Sequence, residues 1–487
     1  MIPPTRRWML LRCPHAALPE TDTDGSWVDG GLVPGLCEGR PTRLPESLPP
    51  SVVAAVCQPL DADGEWLGEL RRRGALDPLV RLLVVETEPG SAYANLARVR
   101  AAGARLTAEE PDGRHHLRPR WGPRPGVRSR RALLGLPPLG YDALPTVDTR
   151  LCAAEAGCRR CIESCPHQAL ALGPDGAVVL DPARCTSCGR CVSVCPPRAT
   201  ELLSFGLAAL EAEVEQLTAD LSGAAVAFAC RRRAALPGWA VVEVPCAGAI
   251  TPGLLLGAAA LGAGAVLVAH CGELCRSGDG TAPREAVAAV ASLWNARARL
   301  QGPEFSFLAA GQLPPTPDPR PVTVRQRPEP GWATHTGLAL RALLRAGALP
   351  TDPYDEPLEG LGRPTIDPGP CTRCGTCARV CPTGAIAERP APGGVAIEVD
   401  HARCVGCGLC AANCPEVAQG AIRVATGFDP AALDGPVAAV TSEEVRCERC
   451  GGPVAPREMI ERLRALLGPE FREDTMARRC VDCRGIG

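Results

Sequence analysis

The sequence predicts a multidomain protein that combines α+β and α/β units, and three observations carry that expectation. The chain has 487 residues, enough for about three domains. A short apolar run leading into a cysteine cluster occurs twice, as Ala177-Val-Val-Leu-Asp-Pro-Ala-Arg-Cys185 and as Val395-Ala-Ile-Glu-Val-Asp-His-Ala-Arg-Cys404. Between the two copies, 222–312 alternates apolar strand-like runs with helical stretches, the pattern of an α/β domain.

Composition fits this division. Hydrophobic residues make up 46% and charged residues 22%, both ordinary for globular material. Aromatics are scarce at 3%, while 52 Gly and 51 Pro point to several small, turn-rich units rather than one large core. Every basic residue is Arg, which looks like coding bias more than chemistry. A net charge of −2 gives no reason to expect nucleic acid or anionic lipid as a partner.

Cysteine is the outlier, with 27 residues. Disulfide frameworks belong to short secreted chains, and residues 1–13 lack the apolar core of a signal peptide. Most of the cysteines fall in tight clusters with metal-ligand spacing. A reducing, cytoplasmic compartment with thiolate-bound metal is the expectation. The uncharged stretch 247–269 has the length of a membrane span. Ala and Gly dominate it, however, and Pro252, Gly262 and Gly264 interrupt it. It reads instead as a buried helix over 252–261 and a buried strand over 265–269, with no transmembrane segment.

Taken in order, residues 1–147 are expected to hold a small α/β region over about 50–110, with strands at 51–56 and 79–86 and a helix at 93–102. The basic stretch 118–131 reads as a solvated linker, with a docking strip for an acidic partner as the alternative. A cysteine-rich module follows over 148–205. The α/β domain takes 206–312, with strands at 224–229, 240–244, 265–269 and 305–310 and an amphipathic helix at 283–300. Residues 313–366 read as a Pro-rich linker, 367–427 as a second cysteine-rich module, and 440–487 as a cysteine-knuckle segment.

The sharpest signal lies in the second module. Cys371, Cys374 and Cys377 are followed by Cys381-Pro382, and Cys404, Cys407 and Cys410 by Cys414-Pro415. Both runs read C-x2-C-x2-C-x3-C-P, a spacing that binds [4Fe–4S] clusters. Three cysteines on a tight loop can wrap three irons of a cubane while the loop's amides hydrogen-bond its sulfides. The fourth sits beyond the loop, where the chain turns into a helix, and so faces the other cluster. By that rule Cys371, Cys374, Cys377 and Cys414 hold one cluster, and Cys404, Cys407, Cys410 and Cys381 its neighbour. Neither zinc nor disulfides explain the doubled pattern with its prolines.

The first module repeats this with one departure. Cys185, Cys188, Cys191 and Cys195-Pro196 are regular, but the upstream run is Cys152-x5-Cys158-x2-Cys161-x3-Cys165-Pro166. Crossed ligation gives Cys152, Cys158, Cys161 and Cys195 for one cluster, and Cys185, Cys188, Cys191 and Cys165 for the other. The longer loop makes Cys152 the least secure of these ligands. The two modules resemble the bacterial two-cluster ferredoxins. That resemblance implies two ferredoxin-like βαββαβ modules around the α/β domain, four [4Fe–4S] clusters and one-electron transfer at each.

The α/β domain carries Cys230 at the end of one strand, Cys246-Ala-Gly after the next, and His270-Cys271-x3-Cys275 after the third. Loops beyond the carboxyl ends of parallel strands gather on one sheet edge, so these thiols can converge. The segments Val244-Pro-Cys-Ala-Gly, Leu261-Gly-Ala-Gly-Ala-Val-Leu-Val-Ala-His-Cys, Cys275 and Gly278-Asp-Gly resemble the hydrogenase iron–sulfur (delta) subunit family, which links a nickel–iron hydrogenase to heterodisulfide reductase. The resemblance implies a [2Fe–2S] cluster on Cys230, Cys246, Cys271 and Cys275. His270 and Arg276 stand where that family leads one to expect Gly and His. Ordinary buried cysteines are the alternative, and His270 reads as a supporting residue rather than a ligand.

At the carboxyl end, Cys447-x2-Cys450-Gly-Gly and Cys480-x2-Cys483-Arg-Gly form two knuckles around a helix expected over 457–467. Such a pair suits a tetrahedral four-cysteine zinc site, with a fifth cubane-type cluster as the alternative. Cys13, Cys37 and Cys57 sit outside any tight motif and read as inert thiols, with a further redox site as the alternative.

No G-x-G-x-x-G loop, P-loop, nucleophile elbow or metalloprotease helix occurs, so neither a catalytic residue nor an organic cofactor is indicated. The expectation is a non-catalytic electron-transfer subunit of an oxidoreductase complex. Resemblance in the α/β domain points to a hydrogenase, formate dehydrogenase or heterodisulfide-reductase-like partner. An assembly factor for a metalloenzyme is the second reading, and an independent reductase a third.

Overall fold

The computed structural model describes residues 8–18, 27–60, 64–109, 116–121, 134–136, 138–203, 205–230, 236–272, 275, 280–298, 302–309, 312–319, 324–350, 352–392 and 394–484. Residues 1–7 and 122–131, together with Arg276, Gly278, Asp279 and Ala310, lie outside the described residues. Packing divides the chain into two compact units, Met1–Cys152 with Arg159–Pro350, and Ala153–Cys158 with Thr351–Gly487.

The first unit contains two four-stranded parallel sheets. In the first, β1 (Trp8–Arg12), β2 (Trp27–Leu32), β3 (Val52–Val56) and β4 (Val80–Val84) lie in the order β2-β1-β3-β4. Every residue of β3 is buried, as an interior parallel strand requires. Helices α1 (Glu65–Arg72) and α2 (Ala92–Ala108) pack with this sheet. Gly103 of α2 is fixed by close approach: a Cβ there would lie 2.1 Å from the Trp8 ring. The sequence marks β3, β4 and α2 but misses β1 and β2: β2 reads Trp-Val-Asp-Gly-Gly-Leu, with turn-type residues at its centre, and β1 pairs with it at the start of the chain.

Three small antiparallel pairs follow. They join β5 (His116–Arg120) to β6 (Gly140–Leu144), β7 (Thr146–Val147) to β10 (Thr200–Glu201), and β8 (Leu170–Leu172) to β9 (Val178–Leu180). The second large sheet has β11 (Ala225–Cys230), β12 (Ala240–Val244), β13 (Ala265–Ala269) and β14 (Glu304–Leu308) in the order β12-β11-β13-β14, all parallel. Helices α3 (Leu207–Asp220), α4 (Pro252–Ala260) and α5 (Thr281–Arg297) accompany it. Thr251 caps α4 by accepting the Leu254 amide, and every residue of α4 is buried. The uncharged stretch 247–269 is therefore a turn, a helix and a strand. No helix among the described residues is long and apolar enough to cross a membrane.

Where the sequence suggests a linker over 313–366, the structure forms helix α6 (Thr336–Arg345), buried from Thr336 to Leu343. Trp332 anchors it, with a fully buried ring resting on α4 where Gly257 leaves room; a Cβ at Gly257 would meet that ring at 2.0 Å. The surrounding prolines hide this short apolar run.

Helices α2 and α3 meet through a buried ionic network. Arg105 donates from Nη1 to Glu213 Oε2 at 2.7 Å and to the Glu243 carbonyl at 2.6 Å, and from Nε to Glu109 at 3.2 Å. Arg81 donates to both oxygens of Glu109 at 3.1 Å.

In the second unit, β15 (Arg363–Ile366) pairs antiparallel with β18 (Ile422–Ala425). Between them β16 (Ile386–Ala391) and β17 (Gly394–Val399) form a hairpin. Two helical turns, Thr376–Arg379 and Leu409–Ala412, complete a strand–helix–strand–strand–helix–strand order. The knuckle segment is not separate from this sheet. Its β19 (Val437–Arg446) pairs with β17, and β20 (Pro453–Pro456) with β19. Helix α7 (Arg457–Leu467) occupies the span the sequence suggests.

Because Arg105 is fully buried, removing it leaves carboxylates without their counter-charge. Arg105→Ala is expected to lower stability by about 3–5 kcal/mol, read as a lower denaturant midpoint, whereas removing an exposed Arg such as Arg150 should leave the midpoint in place.

Candidate metal centres

Each cysteine loop of the regular type has the same backbone. Two and four residues past its first cysteine, the chain is left-handed: Ser187 and Gly189, Arg373 and Gly375, Gly406 and Gly408. A non-glycine residue in that conformation costs about 1 kcal/mol or more. Three loops keep it because it turns successive amides toward one point, the concave amide cradle found at iron–sulfur and phosphate sites. Gly362 backs one cradle closely; a Cβ there would lie 2.5 Å from Gly406 Cα and 3.1 Å from Cys404 Sγ.

In the second module the thiols group across the two loops. Cys371, Cys374, Cys377 and Cys414 line one small, partly open cavity together with Ile366, Ile397 and Ile422. Electrostatic repulsion acts on Cys371 from Cys374 and Cys414, and on Cys377 from Cys371, Cys374 and, across the two groups, Cys410. In the other group it couples Cys404 to Cys407, Cys410 and Cys381. Burial pushes the thiols of Cys377 and Cys404 up to about 12 and that of Cys410 to about 11, with neighbouring thiols adding to the shift. The donor chemistry fits a metal cluster: these sulfurs are crowded and apolar-walled, and Arg373 and Arg379 hold the first loop through the Cys371 and Cys374 carbonyls at 2.9 Å. The Ile386 amide already donates to Cys381 Sγ at 3.4 Å.

The first module gathers one quartet in the same way. Cys191 is coupled to Cys188, Cys185, Cys161 and Cys165, and Cys188 to Cys185 and Cys165; burial raises both thiols. Amides of Ser187 and Ala169 donate to Cys185 and Cys165 at 3.4 and 3.3 Å. Cys152, Cys161 and Cys195 belong to the first unit and Cys158 to the second. Their grouping rests on the sequence spacing.

In the α/β domain the four cysteines meet at the carboxyl edge of the sheet. Cys230 ends β11, Cys246 caps the 3-10 turn Ala247–Ala249 after β12, and Cys271 and Cys275 follow β13. Hydrogen bonds link Cys230 to Cys246 and Cys271, and Cys275 to the same two, closing a ring of thiols. The Cys230 bond alone would lower Cys246 and Cys271. The Cys275 bond and burial outweigh it and bring them up to about 12 and about 11. Amides of Ala247 and Gly248 donate to Cys230 and Cys246 at 3.2 and 3.4 Å. His270 does not join the ring through Nδ1, which accepts the Gly272 amide at 3.2 Å.

At the carboxyl end the sulfurs of Cys447, Cys450, Cys480 and Cys483 all lie within 4.8 Å of one another, a grouping that could hold a metal ion. Backbone amides of Cys480 and Cys450 pull the Cys447 thiol down to about 6. Sequence reasoning treats Cys13, Cys37 and Cys57 as separate thiols, yet the structure gathers them with His15. The missing signal is the pair β1 and β2: once these are strands, Cys13 and Cys37 stand at parallel strand ends.

Comparison with known families adds one match. The 4Fe-4S dicluster domain matches residues 156–199 and 370–418, covering most of both cysteine-rich modules. No curated protein matches the chain. With the repeated cradles and grouped thiols, the two domain matches make this an iron–sulfur electron-transfer protein.

Crossed grouping has a direct consequence. Cys414→Ser is expected to remove one cubane, about four irons per chain, and to leave the spectral signals of the cluster on Cys404, Cys407 and Cys410 in place. Iron analysis and low-temperature electron paramagnetic resonance of the anaerobic protein check this.

Proposed function

We propose that the protein is a relay subunit passing electrons between redox enzymes through four [4Fe–4S] clusters and a [2Fe–2S] centre. Thiol groups drawn from paired loops, two in the second module and one in the first, carry this reading. Clusters of these types supply one-electron transfer when bound. The chain's part is to hold them at fixed spacing, exclude water and tune potential through burial and amide–sulfur hydrogen bonds. In this reading the sixteen ferredoxin-type cysteines ligate as crossed fours, including Cys152, Cys158, Cys161 and Cys195. Cys230, Cys246, Cys271 and Cys275 hold the [2Fe–2S] cluster, and Cys447, Cys450, Cys480 and Cys483 hold zinc.

Contact between the first module and the α/β domain supports a relay. Cys188 and Arg190 line the same cavity as Cys246, Gly248 and Cys275. Ser193 Oγ donates to the Ala249 carbonyl at 2.6 Å, and Arg190 to the Gly248 carbonyl at 3.4 Å. Two thiol groups of different type thus share one wall, the arrangement that electron transfer between neighbouring centres needs. Resemblance of the α/β domain to hydrogenase delta subunits supports a hydrogenase, formate dehydrogenase or heterodisulfide-reductase-like partner in a cytoplasmic complex.

Anaerobically purified protein is expected to contain about sixteen irons in cubane form and to be reduced by a low-potential donor; iron well below that, or no reduction, contradicts the relay. Chelation with oxidation should also unfold 148–205 and 367–427, because modules this small bury too little apolar surface alone. Loss of their circular dichroism checks this.

A further inference from the structure

The N-terminal sheet repeats the plan of the sheet that carries Cys230, Cys246, Cys271 and Cys275. In each, the first strand lies between the second and third, the fourth closes the far edge, and every pairing described is parallel. A 3-10 turn follows the second strand in both, Leu36–Glu38 here and Ala247–Ala249 there. Cysteines occupy the same three loops. Cys13 follows β1 where Cys230 ends β11, Cys37 sits in the turn that Cys246 caps in the other sheet, and Cys57 follows β3 where Cys271 follows β13. The fourth group differs in origin: His15 comes from the loop after the first strand, beside Cys13, whereas Cys275 comes from the loop after the third, beside Cys271.

These four side chains are built together. Their ligand atoms all lie within 4.8 Å of one another. Cys37 Sγ is 3.1 Å from Cys57 Sγ, which in turn lies 4.0 Å from His15 Nδ1. The sulfur pair is well beyond the disulfide length of about 2.05 Å. The loops are fixed from behind. The Cys57 amide donates to Cys37 Sγ at 3.4 Å, Gln58 Nε2 to the Cys37 carbonyl at 2.7 Å, and the Cys13 amide to the Ala55 carbonyl at 2.9 Å. Gly35, with φ 73°, lets the Cys37 turn close, since a Cβ there would lie 2.2 Å from the Arg40 carbonyl oxygen. Cys13 and Cys37 are buried and His15 is exposed, so the site is closed within and open on the His15 side.

We infer that Cys13, His15, Cys37 and Cys57 form a tetrahedral site of three thiolates and one imidazole for a single thiophilic divalent cation of the zinc class. Metal–sulfur bonds of about 2.3 Å and metal–nitrogen bonds of about 2.0 Å give tetrahedral edges of roughly 3.5–3.8 Å, a spacing the four atoms reach by small side-chain rotations. A two-iron cluster would need its ligand pairs spread across both irons. This soft donor set suits zinc. On binding, the thiols give up their protons to solvent and the cation takes their place. With four protein ligands the site has no open position, so its work is to tie three loops of the N-terminal sheet together.

The test uses the full chain, purified anaerobically in a Cys447→Ser/Cys450→Ser background so that the carboxyl-end knuckles cannot contribute. Metal analysis is expected to find about one zinc per chain, lost in Cys37→Ser/Cys57→Ser with iron content unchanged. Cobalt substituted for zinc should show thiolate charge-transfer and tetrahedral d–d bands, and His15→Cys should keep the metal while shifting those bands. Because His15 is exposed, this variant does not depend on refolding the core. No zinc in the background protein, iron lost instead of zinc, cobalt bands unmoved by His15→Cys, or a Cys37–Cys57 disulfide in the anaerobic protein would each overturn the site.

Discussion

Buried thiols beside other thiols resist ionisation, and that constraint organises this molecule. Burial and mutual repulsion push Cys377 and Cys404 up to about 12. As bare thiols they would be poor ligands and a poor core. Metal removes the conflict by compensating the thiolate charge and linking loops that the apolar surface around them could not hold. The left-handed positions at Arg373 and Ser187 are understandable in the same terms. Local backbone strain persists where the surrounding structure gains from aiming amides at sulfur.

The same solution appears on a second scaffold. Both parallel sheets present cysteines at the carboxyl ends of their first three strands, where the topology gathers loops. One sheet has the ring of Cys230, Cys246, Cys271 and Cys275; the other has three cysteines and His15. The sheets are bound to each other by apolar helix packing and by Arg105, whose two carboxylate partners lie on α3 and just past the end of α2. An arginine that deep is tolerated because carboxylates and a carbonyl surround its charge.

Much of this was legible from residue spacing. The C-x2-C-x2-C-x3-C-P runs identify two-cluster loops because ligand geometry leaves little freedom in spacing, and those same segments match the 4Fe-4S dicluster domain. Strands β12 and β13 and helix α7 were readable from continuous apolar runs or clear amphipathic period. What escaped depends on contacts distant in sequence. Helix α6 is held by Trp332 against Gly257, a fit no local pattern encodes. The Cys13, His15, Cys37 and Cys57 group needs strands β1 and β2, the second of which carries Asp29-Gly-Gly where a strand pattern is expected, and the pairing of β19 with β17 likewise joins segments that read as separate.

The account stands on sulfurs meeting in crossed fours. Anomalous diffraction at the iron edge, on crystals of the anaerobic protein, locates each iron and its ligands directly. The account predicts a cubane bounded by Cys371, Cys374, Cys377 and Cys414 beside one bounded by Cys404, Cys407, Cys410 and Cys381, with the arrangement repeated in the first module. Clusters bounded by the four cysteines of a single run, or no iron at these loops, would contradict it.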